Sequence, residues 1–193
     1  LPVKKLKSSM ISKRFGKLIL GTVRVRWARN QDYYDQDNWR GTWKLDGGVL
    51  TNQASHHIDM LIWMMGEVES VFAMTSTALV NIETEDTAVV TLKFKNGALG
   101  IIEATTATRP DNLEGSISIL GEKGTVVIGG FAVNKMQIWN FINKEADDEN
   151  VVSKYSENPP DVYGYGHRAF YEAIIDSIIN DKPNPVDGLE GRK

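Results

Sequence analysis

The sequence contains no cysteine, which excludes a disulfide framework, thiolate catalysis and cysteine-ligated zinc or iron–sulfur sites. Its three histidines, His56, His57 and His167, are too few for a histidine-rich metal centre. Positive charge is not in surplus: 22 Lys+Arg face 25 Asp+Glu, a formal charge of −3. The general phosphate neutralisation that a nucleic-acid binder needs is therefore missing. No apolar run approaches the ~20 residues that span a bilayer, and no signal-peptide pattern opens the chain, so no membrane partner and a cytoplasmic location are expected. Internal repeats and low-complexity tracts are also lacking. The remainder is ordinary globular composition, 41% hydrophobic and 24% charged over 193 residues, enough to bury a proper core in a single domain. Leu1 begins in mid-pattern without a Met and Lys193 follows Gly-Arg, which has the look of a fragment.

Pro2, Val3, Leu6, Met10 and Ile11 have helical spacing, with Gly16 as the stop. From Lys17 the period changes to that of a long strand through Leu18, Leu20, Val23, Val25 and Trp27, with a phase slip at Gly21. Residues 30–48 carry no period and predict a long loop, and long loops inside compact domains tend to be functional. A helix follows over about 51–65, ended by Gly66. Strands are expected at 68–79, 87–95, 98–106, 115–120, 125–129 and 136–141, with hairpin turns at Asn96-Gly97 and at 121–124. Residues 143–162 are expected to form a surface excursion and 166–180 a final helix. Gly164-x-Gly166-x-x-Ala169 resembles a dinucleotide fingerprint, but no strand precedes it, and it is read as a turn and helix start. Helix, strand, helix and then a meander of six strands is an α+β pattern. It predicts a largely antiparallel open sheet of about six to seven strands with helices on one face. A strand face of Val71, Ala73, Thr75 and Thr77 would suit a second sheet, so a homo-oligomer is the default.

On a helical wheel Ile58, Leu61, Ile62 and Met65 form the face packed on the sheet. Asn52, His56, Asp59, Met60 and Trp63 lie nearly opposite, and Asn52 and His56 are spaced i, i+4 so that their side chains meet. A face mixing Met and Trp with hydrogen-bonding groups and no basic residue suits a second domain or a ligand more than bulk water. By itself His56 is most simply a hydrogen-bonding group in a polar interface, and His57, at the edge of the core stripe, is structural.

The run Gly41-Thr-Trp-Lys-Leu-Asp-Gly-Gly-Val-Leu-Thr-Asn-Gln-Ala-Ser-His-His-Ile-Asp59 resembles the second-domain signature of the Gfo/Idh/MocA family of NAD(P)-dependent oxidoreductases, roughly Gly-Gly-x-Leu-x-(Asp/Asn)-x-(Gly/Ala)-x-His-x-x-Asp, with Gly47, Gly48, Leu50, Asn52, Ala54, His56 and Asp59 on those positions. The strand from Val23 to Trp27, Tyr33-Tyr34 and Trp39-Arg40-Gly41 resemble members acting on sugars and nucleotide-sugar acids. The resemblance covers nearly the whole chain. It implies an α+β substrate and oligomerisation domain whose parent carries NAD or NADP on a Rossmann domain, together with a catalytic Lys in a Glu-Lys-Pro motif. Neither is in this sequence, and the chain alone is expected to be inactive.

The implied chemistry is oxidation of a secondary hydroxyl, which needs a proton acceptor and a hydride acceptor. His56 is the candidate proton acceptor, since an imidazole titrates near neutrality. Asn52 stands where the family often has Asp. An amide cannot act as a base, so Asn52 is assigned hydrogen bonding to substrate or nicotinamide. Arg26, Arg29 and Arg40 are candidates for holding a carboxylate or diphosphate. Tyr33, Tyr34, Trp39 and Trp43 are candidates for stacking on a sugar or base. His167, at a helix start, is a further cleft candidate. The plainer alternative makes Arg24 and Arg26 solvated strand residues and Trp43 core. Two other classes stay open: a non-catalytic binding and assembly module of the same fold, and an unrelated sheet-forming domain in which Asn52 and His56 face solvent away from any cleft.

Overall fold

The structure, a computed structural model, describes residues 1–156, 166–189 and 191. The chain divides into two compact units, residues 1–157 and 158–193. In the first, α1 (Pro2–Ile11) leads into β1 (Leu18–Arg26), followed by a short α2 (Gln31–Asp35) and then α3 (Ser55–Met65). Six strands come next: β2 (Val68–Ser76), β3 (Thr87–Phe94), β4 (Leu99–Thr105), β5 (Glu114–Gly121), β6 (Gly124–Gly129) and β7 (Lys135–Phe141). A helix α4 (Asp148–Lys154) closes the first unit, and the second contains α5 (Gly166–Ile179). The expected turn before α5 lies partly outside the described residues, at Gly164 and Tyr165.

The strands form one seven-stranded sheet in the order β2-β3-β4-β1-β5-β6-β7, so the α+β open-sheet expectation holds. The single meander does not. Two three-stranded meanders flank β1, which pairs parallel with β4 (Val23↔Ile102) and antiparallel with β5 (Val23↔Ile117). Period-2 alternation sets the buried face: Ala88, Val90, Leu92 and Phe94 of β3, Ile102 and Ala104 of β4, Val23 and Val25 of β1, and Ile117 and Ile119 of β5. Helix α3 packs on this face over β1. A Cβ at Gly21 would lie 2.7 Å from Met65 Cγ and 2.8 Å from Leu61 Cδ1, so the phase slip there is a close helix–strand approach. Helix α1 reaches α3, with Lys7 Nζ donating to the Trp63 carbonyl at 2.7 Å and lying 4.5 Å over the Trp63 ring.

The buried stripe of α3 is His57, Leu61, Met64 and Met65, while Ile62 is exposed. That is a turn of roughly 60° from the expected stripe at 100° per residue, and it carries His57 inside. The strand face expected to suit a second sheet lies on the helix side. Register places Val71, Ala73 and Thr75 opposite Leu92, Val90 and Ala88 on the helix-side face, and Phe72 and Met74 opposite Thr91 and Val89 on the open one. Residues 143–156 are more than an excursion, because α4 buries Val151. Asp148 accepts from Arg14 Nη2 at 2.7 Å and from Trp139 Nε1 at 2.7 Å, which pins α4 to β7 and to the segment after α1.

Candidate functional site

The segment between α2 and α3 has no regular period, yet buried groups hold it firmly. Gly47 has φ +76°, and a Cβ at Gly48 would lie 2.0 Å from the Glu85 carboxyl group. That carboxylate accepts from the Leu50 amide at 3.1 Å. Thr84 Oγ1 donates to the carbonyls of Gly41 (3.2 Å) and Gly47 (3.1 Å). Gly48 is therefore required by the close approach of the β2–β3 connection, and Gly47 by its left-handed backbone and the adjacent Thr51 side chain. Helix α3 begins only at Ser55, several residues later than expected, and Asn52 belongs to the turn before it, its amide N–H reaching the Gly48 carbonyl at 3.0 Å.

This changes what Asn52 touches. Its Nδ2 donates to Asp46, and its Oδ1 accepts from Gln53 Nε2 at 2.6 Å. Asp46 also accepts from the Gly41 amide at 2.7 Å, so it ties the loop together and orients Asn52. Gln53 extends the chain of bonds. Its Oε1 accepts from Arg29 Nη2 at 3.0 Å, and its Nε2 reaches the Tyr33 hydroxyl at 3.2 Å. The same hydroxyl accepts from Arg40 Nη1 at 2.7 Å, and Arg40 Nε pairs with Asp37 at 3.1 Å. The Arg29 and Arg40 guanidinium groups lie 5.1 and 4.4 Å from the Tyr33 ring centroid. Arg40 also lies 4.6 Å over Trp39, which is exposed.

Five of the expected residues, Arg29, Tyr33, Trp39, Arg40 and Asn52, are thus joined in one network through Gln53. Asp46 and Gln53 were quoted in the sequence motif without a role, and nothing in local spacing signals one. His56, in the first turn of α3, is exposed and makes no hydrogen bond or ion pair among the described residues; the expected contact with Asn52 is absent because Asn52 is not yet on the helix. His57 is its opposite. It is buried with neither ring nitrogen partnered, and its ring meets Trp27 edge-on at 5.7 Å. Burial, and secondarily the neighbouring His56, push the His57 imidazole down to about 4.

Three expectations move. Tyr34 is buried with its hydroxyl 3.1 Å from Thr106 Oγ1, and it anchors α2 instead of presenting a stacking surface. It is one residue, about 100° of helix turn, away from Tyr33. Arg26 is not brought to the network: register puts it on the open face opposite Thr105 and Glu114, where Glu103 holds it at 2.6 Å and Glu114 at 3.3 Å. Trp43 is exposed, so the core alternative fails for it. His167 stands exposed in the first turn of α5, in the second unit. Among the described residues no group of three or more His, Asp and Glu could hold a metal ion, and no helix is long and apolar enough to cross a membrane.

The chain thus combines an open, mostly antiparallel sheet backed by helices with a Gly-Gly loop that feeds an amide network and a helix whose first turn carries an exposed histidine. Residues 7–193 match the model of the "Oxidoreductase family, C-terminal alpha/beta domain", and the chain belongs to that family. Myo-inositol 2-dehydrogenase of Thermotoga maritima is 30% identical over 155 residues, 77% of this chain and 44% of that protein. The WlbA dehydrogenase of Bordetella pertussis, solved with NADH and UDP-GlcNAcA, is 43% identical with a TM-score of 0.89, over 99% of this chain and 53% of that one. Its counterpart from Chromobacterium violaceum, solved with the same two ligands, is 46% identical with a TM-score of 0.89, over 98% and 53%. The chain spans about half the length of these relatives.

Proposed function

We propose that this chain is the substrate domain of an NAD(H)-dependent dehydrogenase that oxidises a secondary hydroxyl of a sugar or nucleotide-sugar acid. The observation that carries the reading is the immobilised amide of Asn52 in the turn that leads into α3, followed by an exposed, unpartnered His56 in that helix's first turn. His56 takes the hydroxyl proton, directly or shared with a lysine of the nucleotide-binding domain. Asn52 keeps one Nδ2 hydrogen beyond its bond to Asp46, and offers it to the substrate oxygen or to a nicotinamide amide. The residues present fit only that end of a cofactor. NAD(H), when bound, supplies the hydride acceptor, and its phosphates would rest on the second domain that the family resemblance implies. Arg29, Tyr33 and Arg40 bind and orient the substrate, their positions set before it arrives, which lowers the ordering cost of binding.

A second copy of the chain belongs to the same reading. The open sheet face exposes Phe72, Met74, Val89, Leu99 and Ile101, an apolar strip across adjacent strands of the kind that marks an interface. It would be covered in a cytoplasmic homo-oligomer, which sedimentation would detect as a mass above one chain.

The test joins the chain to its nucleotide-binding domain and follows NADH formation with UDP-GlcNAcA and with simple sugars. Turnover that collapses in His56→Ala supports the reading. Turnover that survives this change removes the proton role. Binding of sugar without any turnover by the assembled protein would make the chain a ligand-binding and assembly module.

A further inference from the structure

A side-chain amide has two ends of nearly equal shape and opposite hydrogen-bonding character, so a neighbour that cannot change its role decides which way the amide points. Asn52 and Gln53 are two such amides in series, and each end of the series meets a neighbour of that kind. A guanidinium only donates, so Arg29 Nη2 at 3.0 Å fixes the facing atom of Gln53 as the oxygen. Gln53 Nε2 is thereby the donor, to Asn52 Oδ1 at 2.6 Å and to the Tyr33 hydroxyl at 3.2 Å. With its Oδ1 so used, Asn52 turns Nδ2 to Asp46. An ionised carboxylate only accepts, so the last link has the same sense as the first. The Asp46 carboxylate takes a further bond from the Gly41 amide at 2.7 Å. Hydrogen bonds therefore run one way, from Arg29 through Gln53 and Asn52 to Asp46. Turning either amide would set like groups against each other on both sides of it.

The side branch has the same sense. The Tyr33 hydroxyl accepts from Gln53 and from Arg40 Nη1 at 2.7 Å, which leaves its own hydrogen to donate. The second Nδ2 hydrogen of Asn52 likewise has no acceptor among the described residues. What the network holds in reserve is hydrogen at both places.

We propose that Asp46 and Gln53 are positioning residues that fix this polarity, so that Asn52 and Tyr33 meet the substrate as hydrogen donors. The consequence for the reaction rests on the proposed function. A hydroxyl that gives its proton to His56 keeps its oxygen lone pairs, and Asn52 Nδ2 donates to them. An acceptor at position 52 would compete with His56 for that proton. Positions 46 and 52 also act as one unit, a carboxylate against an amide. Two carboxylates in that contact would share one proton, as like charges so close cannot both ionise.

Changes that keep shape and alter only polarity test this. In the assembled enzyme, Asp46→Asn and Gln53→Glu should each lower kcat/KM about tenfold, and Asn52→Asp about a hundredfold. In the 193-residue chain, carbon-13 NMR of Asn52→Asp should find one carboxyl group that keeps its proton above the ordinary carboxylate range. The other ionisable groups beside the pair are Tyr34, which lines the same small cavity, and Glu85, held by the Leu50 amide; their titrations should not move. Combining Asp46→Asn with Asn52→Asp again sets a carboxylate against an amide, but leaves no hydrogen to offer at position 52. This double variant should regain the ordinary titration and not the turnover. If it regains both, the pair is only structural and the proposal is overturned. Wild-type kcat/KM in Asp46→Asn and Gln53→Glu also overturns it, as does an Asn52→Asp chain whose carboxyl groups all titrate in the ordinary range. Should Asn52→Asp not fold, Gln53→Glu decides by its kcat/KM. Turnover that depends on His56 but not on Asp46 or Gln53 removes the polarity role and leaves the proposed function. The shared proton of Asn52→Asp in an assembly that oxidises no sugar keeps the polarity and removes the proposed function.

Discussion

Arg24 and Arg26 lie on the open face of β1, and Arg29 follows three residues after Arg26, just past the strand's end. The first two are enclosed by Glu103 and Glu114, with contacts between 2.6 and 3.7 Å, and hydrogen bonding to Glu103 raises the Arg26 guanidinium further above its ordinary value. Arg29 is held in place by the Gln53 amide, which leaves its charge unanswered. The middle of the sheet is a self-compensated frame, and its end keeps polar groups in fixed positions without satisfying them. A charge with a permanent partner contributes mainly to the frame; a charge fixed by neutral groups stays available to a ligand.

The contrast predicts that substitutions at the sheet's end change chemistry and leave stability alone, while those in the frame do the opposite. The largest effect is expected from His56→Ala, a fall of about 10²–10⁴ in kcat of the assembled enzyme at unchanged thermal midpoint; a variant that unfolds early instead would place His56 in the frame. Next comes acid. The unfolded chain protonates His57 near 6.5 while the folded one resists until about 4. Between those values the unfolded state binds more protons, so stability is intact above 6.5 and is lost as pH falls toward 4, by about 3 kcal/mol in total. Urea midpoints at neutral and acid pH measure that slope, and His57→Leu should flatten it. Asp148→Asn should cost about 2 kcal/mol with kcat of the assembled enzyme unchanged, because Arg14 would lose its main partner but keep Glu145 at 3.2 Å. The smallest effect is expected for Arg26→Ala, about 1 kcal/mol or less for a half-exposed pair, again with kcat intact; a fall in kcat there would break the distinction between middle and end.

Much of the frame was legible in the amino-acid order because it rests on short-range periodicity. The alternation Ala88, Val90, Leu92, Phe94 locates β3, Asn96-Gly97 its turn, and the Gly-Gly to Asp59 spacing the family. The α3 stripe was misjudged by more than half a residue step because its rotation is set by contact with Gly21, some forty positions away. The candidate site was legible in part. His56 and Asn52 follow from the motif, and Arg29, Tyr33 and Arg40 from residue type in an aperiodic loop. Type alone, however, gave Arg26 the same standing as Arg29, and Tyr34 the same as Tyr33.

Sequence by itself settled the seven strands, the first and last helices and the existence of α3, and that a Gly-rich turn precedes a histidine-bearing helix, though it left the short helices α2 and α4 unmarked; each feature it settled is a property of neighbours in the chain. The order of strands was decided only in three dimensions, when β1 inserted between β4 and β5. That insertion gives Arg26 its carboxylates while withholding them from Arg29. Which charges end up neutralised depends on pairings between residues about eighty positions apart, and no local pattern encodes that.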